Sequence, residues 1–195
     1  RKSNLNKTKH FSSDFYSRGL IKIKNAPKKF LGQDLDEFFV GLDSTRSGII
    51  YLSETISKIQ YKKPNLKEHI IASKISGDNN GFSFNSAREV DFNFYNNTIE
   101  LGNQIVSPIA DYAFNYYNYK LEGIFYDDNG NLINKIEVIA KRKNDSIFSG
   151  YIYIIEDQWS IYALELEVTG AQAQMPAAEV IKLKQTFSYS AQDTI

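Results

Sequence analysis

The feature that most constrains the fold is a run of alternating apolar and polar residues from Asn118 to Tyr189. It divides into five strand-like segments joined by short turns, and strands that short turns can connect are antiparallel. The first turn contains Asn129-Gly130, a pair that tolerates the positive φ angles of a type I′ hairpin turn. The second half of the chain is therefore predicted to be an antiparallel meander that needs no connecting helices.

Each strand of this meander carries its apolar residues on one face. The predicted inward-facing sets are Ile136, Val138 and Ala140; Tyr162, Leu164, Leu166 and Val168; and Ile181, Leu183 and Phe187. Charged residues occupy alternate positions, at Glu165, Glu167, Lys182 and Lys184. Because a shift of one residue would turn these charges into the core, the strand register is well specified. The pattern predicts a sheet with one covered face and one solvated face.

Three further strands are predicted in the first half, over residues 15–24, 49–61 and 66–76, with a helical turn that runs into a strand as the alternative for the third. On the first of them, the apolar face is formed by Phe15, Ser17, Gly19, Ile21 and Ile23. On the second, Ile50, Leu52 and Ile56 share a face that Glu54 interrupts. Alternation of this kind is typical of a half-buried strand.

The segments around these strands are less regular. Residues 1–12 are polar and are predicted to be frayed. Residues 25–47 are predicted to be an excursion that is either a loop or a short helix, and Asp34 to Leu42 is the candidate for the helix. No boundary separates two independent cores, so residues 1–195 are predicted to form a single domain.

A helix is predicted to begin at Ser107-Pro108, because Ser is a favoured N-cap residue and Pro suits the first helical position. Ile109, Tyr112, Ala113 and Tyr116 then recur at helical spacing and form one apolar stripe. A second short helix is favoured around residues 92–95. The predicted fold class is α+β and mainly β: a curved antiparallel sheet or unclosed β-barrel wrapped around one or two short helices.

This apolar stripe is also the candidate binding site. An aromatic stripe on a helix usually packs into a core, and that interpretation is favoured for Ile109, Tyr112, Ala113 and Tyr116. The alternative is an apolar pocket for an acyl chain between the sheet and this helix, since ligand pockets are mostly apolar with few polar groups.

Composition excludes several classes of function. Lys and Arg together number 23, as do Asp and Glu, so the formal net charge is +0. A neutral chain offers no overall field to attract nucleic acid or an anionic membrane. There is no cysteine, which excludes disulfides and cysteine-based metal sites. No cofactor, no metal and no nucleic-acid partner are predicted.

No catalytic constellation is found, and the chain is predicted not to be an enzyme. His10 and His69, the only two histidines, have neither a nearby nucleophile-elbow sequence nor the spacing of a zinc site. The acidic run 127–131 lacks the later bidentate glutamate of a calcium loop, so turn chemistry explains it better. The polar run 44–48 is either a recognition loop or, as is favoured, a strand-entry turn.

Several segments carry a family resemblance. They are GIIYLSETIS at 48–57, DFNFYNN at 91–97, IEL at 99–101, SPIA at 107–110, YNYKLEG at 117–123 and KRKNDSIFSGYIYIIEDQWSIY at 141–162, together with Pro64, Lys67 and Glu68. The chain resembles a family of uncharacterised Bacteroidetes outer-membrane proteins from about Phe15 onward. In its strand rhythm over 135–170, it is also similar to lipoprotein carriers of the LolA/LolB kind.

The first resemblance implies a periplasmic segment that is tethered to the outer membrane, with a carboxypeptidase-regulatory-like sandwich module before it and a membrane β-barrel after it. The start at Arg1 without Met fits a processed or excised fragment. The function expected is a non-catalytic role in assembly, docking or envelope transport, with partners in the same polypeptide or, alternatively, lipid or another envelope protein. The carrier resemblance implies the alternative, a lipid- or acyl-chain-binding half-barrel.

Overall fold

The computed structural model describes residues 10–30, 33–34, 42–77, 86–87, 92–175 and 178–188. The chain forms two compact units, Arg1–Asp91 and Phe92–Ile195, where the sequence predicts one domain. The strands in chain order are β1 (His10–Ile23), β2 (Lys29–Phe30), β3 (Gln33–Asp34), β4 (Gly48–Lys62), β5 (Asn65–Gly77), β6 (Thr98–Leu101), β7 (Asn103–Val106), β8 (Tyr117–Tyr126), β9 (Leu132–Ala140), β10 (Ser149–Ile155), β11 (Ile161–Thr169) and β12 (Val180–Thr186). The one helical element of the described residues is a 3₁₀ turn, Ala113–Asn115.

The fold class is therefore confirmed in its main part: the described chain is mostly β, its sheets are antiparallel and none is closed. The predicted helices are wrong where the structure describes them. Residues 92–97 form turns that lead into β6, and residues 107–116 form a chain of turns around the 3₁₀ element. The predicted helix from Asp34 to Leu42 falls between β3 and the loop before β4, and its residues 35–41 lie outside the described part.

In the first unit, β1, β4 and β5 form a three-stranded antiparallel sheet with β4 in the middle. β2 and β3 pair as a two-residue ladder. The prediction that residues 1–12 are frayed is wrong for residues 10–12, which pair with residues 60–62 of β4. The Phe11 ring lies 5.2 Å from the Tyr61 ring, so side-chain contact adds to the backbone pairing there.

The inward face of β4 is the opposite of the predicted one. Leu52 and Ile56 do share a face, but Ile56 is exposed. The buried residues of β4 are Tyr51, Ser53, Thr55, Ser57 and Ile59. Pairing with β1 decides this outcome, because Thr55 stands opposite Ser17, which belongs to the correctly predicted inward face of β1. Directly paired residues of antiparallel strands lie on the same face of the sheet.

In the second unit, the order β12-β11-β10-β9-β8 confirms the predicted meander. All four pairings are antiparallel and join strands that are consecutive in the chain. The hairpin at Asn129-Gly130 is confirmed, but its loop spans residues 127–131 and so is longer than a two-residue type I′ turn. Gly130 has the left-handed conformation (φ +78°).

One face of this sheet carries the core. Its fully buried large side chains include Tyr117, Val138, Phe148, Leu164 and Val168. Ile105 of β7 and Phe94 of the preceding turn belong to the same cluster, so the β6–β7 hairpin and its flanking turns cover the sheet where a helix was predicted. The inward positions of Ile136, Val138, Ala140, Ile181 and Leu183 are confirmed by their packing in or against this cluster.

Tyr162 departs from the predicted inward set of β11. The register between β10 and β11 shifts between Tyr153 and Ile154. Tyr153 pairs with Ala163 and Ile154 pairs with Ile161, so Tyr162 has no paired residue on β10. Its ring lies 6.4 Å from the ring of Phe125, which also contacts Tyr153. A β-bulge adds one residue to a strand and redirects its side chain, which alternation alone cannot foresee.

Candidate functional site

The predicted helix over residues 107–116 is replaced by successive turns. Their backbone bonds run from Ala110 N to Ser107 O (3.0 Å), from Ala113 N to Ala110 O (3.0 Å) and from Tyr116 N to Ala113 O (2.9 Å). Such i→i−3 bonds form tighter turns than the i→i−4 bonds of an α-helix. Ile109, Tyr112, Ala113 and Tyr116 consequently do not share one helical face.

Two tyrosine hydroxyl groups hold the end of β7 and this turn segment on the sheet. The hydroxyl of Tyr117, at the start of β8, donates to the carbonyl of Val106 and accepts from the N–H of Phe148 (3.0 Å). The Tyr119 hydroxyl donates to the carbonyl of Pro108 (2.6 Å). Burial raises the pKa of both hydroxyls, that of Tyr119 to about 12, so both remain protonated donors at neutral pH.

The four residues predicted to line a pocket have separate environments. Ala113 is buried in the core, and Ile109 and Tyr116 are half-buried against it. Tyr112 is exposed, and its ring lies 5.9 Å from that of Tyr116. Three of the four residues thus pack in or against the core, as the favoured interpretation expects, whereas Tyr112 does not. Acyl-chain binding at these residues stays a prediction.

A surface that sequence reasoning missed lies beside this turn segment. Four large apolar side chains are exposed here by 60% to 76% of their area. They are Phe114, Leu121, Ile124 and Tyr126, and they are called the apolar strip below. Phe114 joins the strip to β8, because its ring lies 5.4 Å from the half-buried ring of Tyr119.

The strip lies on the same face of the sheet as the core, but outside the area that the β6–β7 hairpin and its flanking turns cover. Leu121 pairs with Ile136, whose side chain packs against the core, and Ile124 pairs with Asn134, which in turn pairs with the core residue Ile154. β8 is the last strand of the sheet order, so these side chains lie at an open margin. Contiguous exposed apolar surface of this kind usually marks an interaction site.

The backbone of β8 is less accessible to a further strand than its side chains are. The register shifts between Leu121 and Gly123, so Glu122 forms a bulge. Lys120 Nζ lies 2.5 Å from Glu122 Oε1 at the same place. Bulges and charges on an edge strand hinder continuous pairing with another strand. The strip is therefore better suited to side-chain packing than to strand addition along the whole of β8.

The opposite face of this sheet has an apolar part, in which Phe125, Ile133 and Ile155 are paired, and a polar part around Glu165 that is internally paired. Lys184 Nζ lies 2.7 Å from Glu165 Oε1, and the Tyr153 hydroxyl donates to the other oxygen of Glu165 (3.2 Å). Lys135 Nζ lies 4.2 Å from the centroid of the Tyr151 ring. These contacts confirm that Glu165 and Lys184 face away from the core, where they form a salt bridge with each other.

The acidic loop after β8 is a hydrogen-bonded turn. Asp127 Oδ1 accepts from the N–H groups of Asn129 (3.0 Å) and Asn131 (2.8 Å), and Oδ2 accepts from the Asn131 side-chain amide (2.9 Å). This is the turn chemistry expected from the sequence. Among the described residues, no group of three or more His, Cys, Asp or Glu side chains is placed to hold a metal ion.

We expect Asp127→Asn to remove a pH dependence from this hairpin. The Asn131 side-chain amide, followed by the other hydrogen bonds of the loop, holds the pKa of Asp127 below its usual value of 3.8. A lowered pKa contributes stability above the unfolded-state pKa, and this contribution is lost as the pH falls through the folded-state pKa. The protection of the backbone amides of residues 129–131, measured as exchange relative to an unstructured peptide at the same pH, should therefore fall below about pH 4 in the original chain.

The variant should show lower protection of these amides already at neutral pH and a smaller change in protection on acidification. Asp157→Asn, in the turn between β10 and β11 of the same sheet, is the control and should leave these residues unchanged. An identical acid response in the Asp127→Asn variant would contradict this role.

The other acidic loop, before β4, has the same construction. Asp43 Oδ1 accepts from Thr45 N (2.9 Å), Thr45 Oγ1 (2.6 Å) and Ser47 N (2.9 Å). Arg46 Nε donates to the carbonyl of Ala26 (2.7 Å) and so joins this loop to the chain after β1. The polar run 44–48 is thus confirmed as a turn that enters β4.

Comparison with known proteins identifies a family whose function is unknown. Residues 1–195 match the model of one protein family, described as Family of unknown function (DUF5686). No curated protein and no solved structure matches the chain. The described residues include no helix that is long and apolar enough to cross a membrane.

Proposed function

The chain belongs to the Family of unknown function (DUF5686) over residues 1–195, and we propose that it is a non-catalytic docking module of a Bacteroidetes outer-membrane protein that faces the periplasm. The location rests on the sequence resemblance described above. The docking role rests on the apolar strip. The proposed partner is another part of the same polypeptide, the preceding sandwich module or the following membrane barrel, or else another envelope protein.

The exposed area of the strip is the observation that carries this proposal. A buried apolar side chain contributes about 1.5–3 kcal/mol relative to an exposed one. Leu121, Ile124 and Tyr126 leave most of that contribution unused in the isolated chain. Aromatic side chains such as Phe114 and Tyr126 are enriched at the centres of protein–protein interfaces. The strip therefore has the composition of an interface core.

Site-specific photocrosslinking in cells that make the whole protein tests this proposal. A photoreactive residue at position 124 is expected to give one dominant adduct, within the polypeptide or with an envelope protein, in the outer-membrane fraction. The control position is 118 on the same strand, because Asn118 is exposed and pairs with Ile139, outside the core face. Adduct formation at 124 should fall about tenfold or more when Leu121 is changed to Lys, since an interface residue is lost.

Two outcomes would overturn the proposal. One is an adduct that is equally strong at positions 118 and 124, which would show that the strip is not a specific contact. The other is recovery of the whole protein in the cytosolic fraction, which would remove the envelope location. Leu121→Lys should change the free energy of unfolding by less than about 0.5 kcal/mol, as is usual for an exposed position, so loss of the adduct can be separated from misfolding.

A further inference from the structure

The neutral net charge of the chain conceals a strong asymmetry between its two units. Residues 1–91 contain 16 Lys and Arg against 10 Asp and Glu, a net charge of +6. Residues 92–195 contain 7 against 13, a net charge of −6. The expectation that a neutral chain has no field to attract an anionic surface therefore does not apply to the first unit taken by itself.

The three-stranded sheet of the first unit concentrates basic side chains on its outward face. Register places the exposed residues Arg18, Lys58, Lys62, Lys67 and Lys74 on this face. Two acidic residues, Asp14 and Glu54, share it. Arg18 Nε lies 3.5 Å from Glu54 Oε1, so one of these two negative charges already has a partner.

Apolar side chains lie between these charges. Tyr16 pairs directly with Ile56, and Leu20 pairs with Leu52. Tyr16, Leu20 and Ile56 are all exposed. The surface formed by these apolar residues and the five basic residues is called the basic face below. Its combination of lysine ammonium groups, aliphatic side chains and a tyrosine differs from an ordinary solvated sheet face, in which the positions between charges are polar.

We infer that the basic face binds an anionic lipid surface. Each lysine or arginine near such a surface contributes attraction, and apolar side chains among them enter the boundary between headgroups and acyl chains. A tyrosine suits that boundary because its ring is apolar and its hydroxyl is polar. Nucleic acid or an acidic protein would use the charges but would leave Leu20 and Ile56 without a role, and for this reason a lipid surface is favoured.

Vesicle binding by the complete 195-residue chain tests this inference. The probe is a set of phosphatidylcholine vesicles that contain about one third phosphatidylglycerol, enough to give a negative surface potential. Binding is expected at low salt and should weaken strongly at about 1 M salt, where the Debye length is about 3 Å. Vesicles of phosphatidylcholine alone are expected to bind far more weakly.

A triple substitution on the basic face is the decisive variant. Lys58→Gln, Lys62→Gln and Lys74→Gln together should weaken binding roughly a hundredfold, since each lysine near an anionic surface contributes about fivefold. The control removes the same number of charges from the second unit, through Lys120→Gln, Lys143→Gln and Lys182→Gln. It should stay within about twofold of the original chain, because these lysines do not belong to the basic face. Circular dichroism of both variants verifies their folding.

Ile56→Asn separates a lipid surface from other anionic partners. It keeps every charge and should still weaken vesicle binding, by roughly tenfold, because an apolar contact with the lipid boundary is lost. Single-stranded RNA and polyglutamate are offered in parallel, and their binding should be weak and insensitive to Ile56→Asn.

Three results would overturn the inference. The first is equal binding to neutral and anionic vesicles. The second is anionic-vesicle binding that survives the basic-face triple substitution. The third is preference for RNA, polyglutamate or a second copy of the chain, the last of which would appear as self-association that the same three lysines control. None of these results depends on the apolar strip, which lies in the other unit, so the docking proposal is tested separately.

Discussion

Gly150→Ala is expected to destabilise the second unit by about 3 to 5 kcal/mol, a loss that is exceptional for one methyl group. Gly150 lies in β10, between Val138 of β9 and Leu166 of β11, and has a φ of +128°. A Cβ atom there would lie 2.2 Å from the carbonyl oxygen of Glu165 and 3.1 Å from the Cα of Leu166. Both atoms belong to the backbone of the neighbouring strand, so relief requires the sheet itself to shift.

Urea unfolding followed by circular dichroism measures this loss directly. Because small domains are stable by only about 5–15 kcal/mol, the variant should unfold at a clearly lower urea concentration or fail to fold. Gly123→Ala is the matched control in the same sheet, since a Cβ there meets nothing within 4 Å. It should be neutral or slightly stabilising, because alanine loses less backbone entropy on folding than glycine does. Equal effects of the two substitutions would contradict the strand packing described for β10 and β11.

Tyr117→Phe is expected to cost about 2 to 4 kcal/mol, although it removes a single oxygen atom. Tyr117 is 1% exposed, and its hydroxyl lies between the carbonyl of Val106 and the N–H of Phe148. Removing it leaves a buried acceptor and a buried donor without this partner. An unsatisfied buried polar group costs about 1–3 kcal/mol, which is more than the net contribution of an ordinary hydrogen bond.

The free energy of unfolding from urea titration again provides the measurement, and Tyr126→Phe is the control. Tyr126 lies on the same strand but is 72% exposed, so its hydroxyl can exchange any protein partner for water. Its loss should change stability by less than about 0.5 kcal/mol. Faster amide exchange at Phe148 in the Tyr117→Phe variant would locate the effect. A change below about 1 kcal/mol at Tyr117 would show that the hydroxyl does not hold the end of β7 on the sheet.

Local alternation predicted the meander well because its causes are local. Strands β9, β11 and β12 have lysine or glutamate at alternate positions. A register slip of one residue would bury these charges, and the loss of their hydration would destabilise that arrangement strongly. The register shift near Tyr162 was not predictable, because a bulge depends on how two strands fit together and leaves little trace in the pattern of one strand.

The stretch after Ser107-Pro108 shows how a helical pattern can mislead. Its capping signal and the spacing of Ile109, Ala113 and Tyr116 were sound indications of a helix. Most helical stability in proteins comes from tertiary packing, and here tertiary contacts favour turns. The carbonyl of Pro108 accepts from Tyr119 and the carbonyl of Phe114 accepts from Lys141 Nζ (2.6 Å). Tyr119 belongs to β8 and Lys141 directly follows β9, so the sequence of the segment alone could not reveal these donors.

The sequence by itself determined the antiparallel connectivity of the second half, the separation of charged from apolar faces there, and the absence of cysteine chemistry, because these depend on residue type and near-neighbour spacing. Tertiary structure alone decided which face of β4 is buried, because hydroxyl-bearing Ser53, Thr55 and Ser57 face inward only through the pairing of β4 with β1. It also decided that Leu121 and Ile124, apolar residues on an ordinary strand, remain exposed at the margin of the sheet. Burial is a property of what packs against a residue, and that partner is distant in the chain.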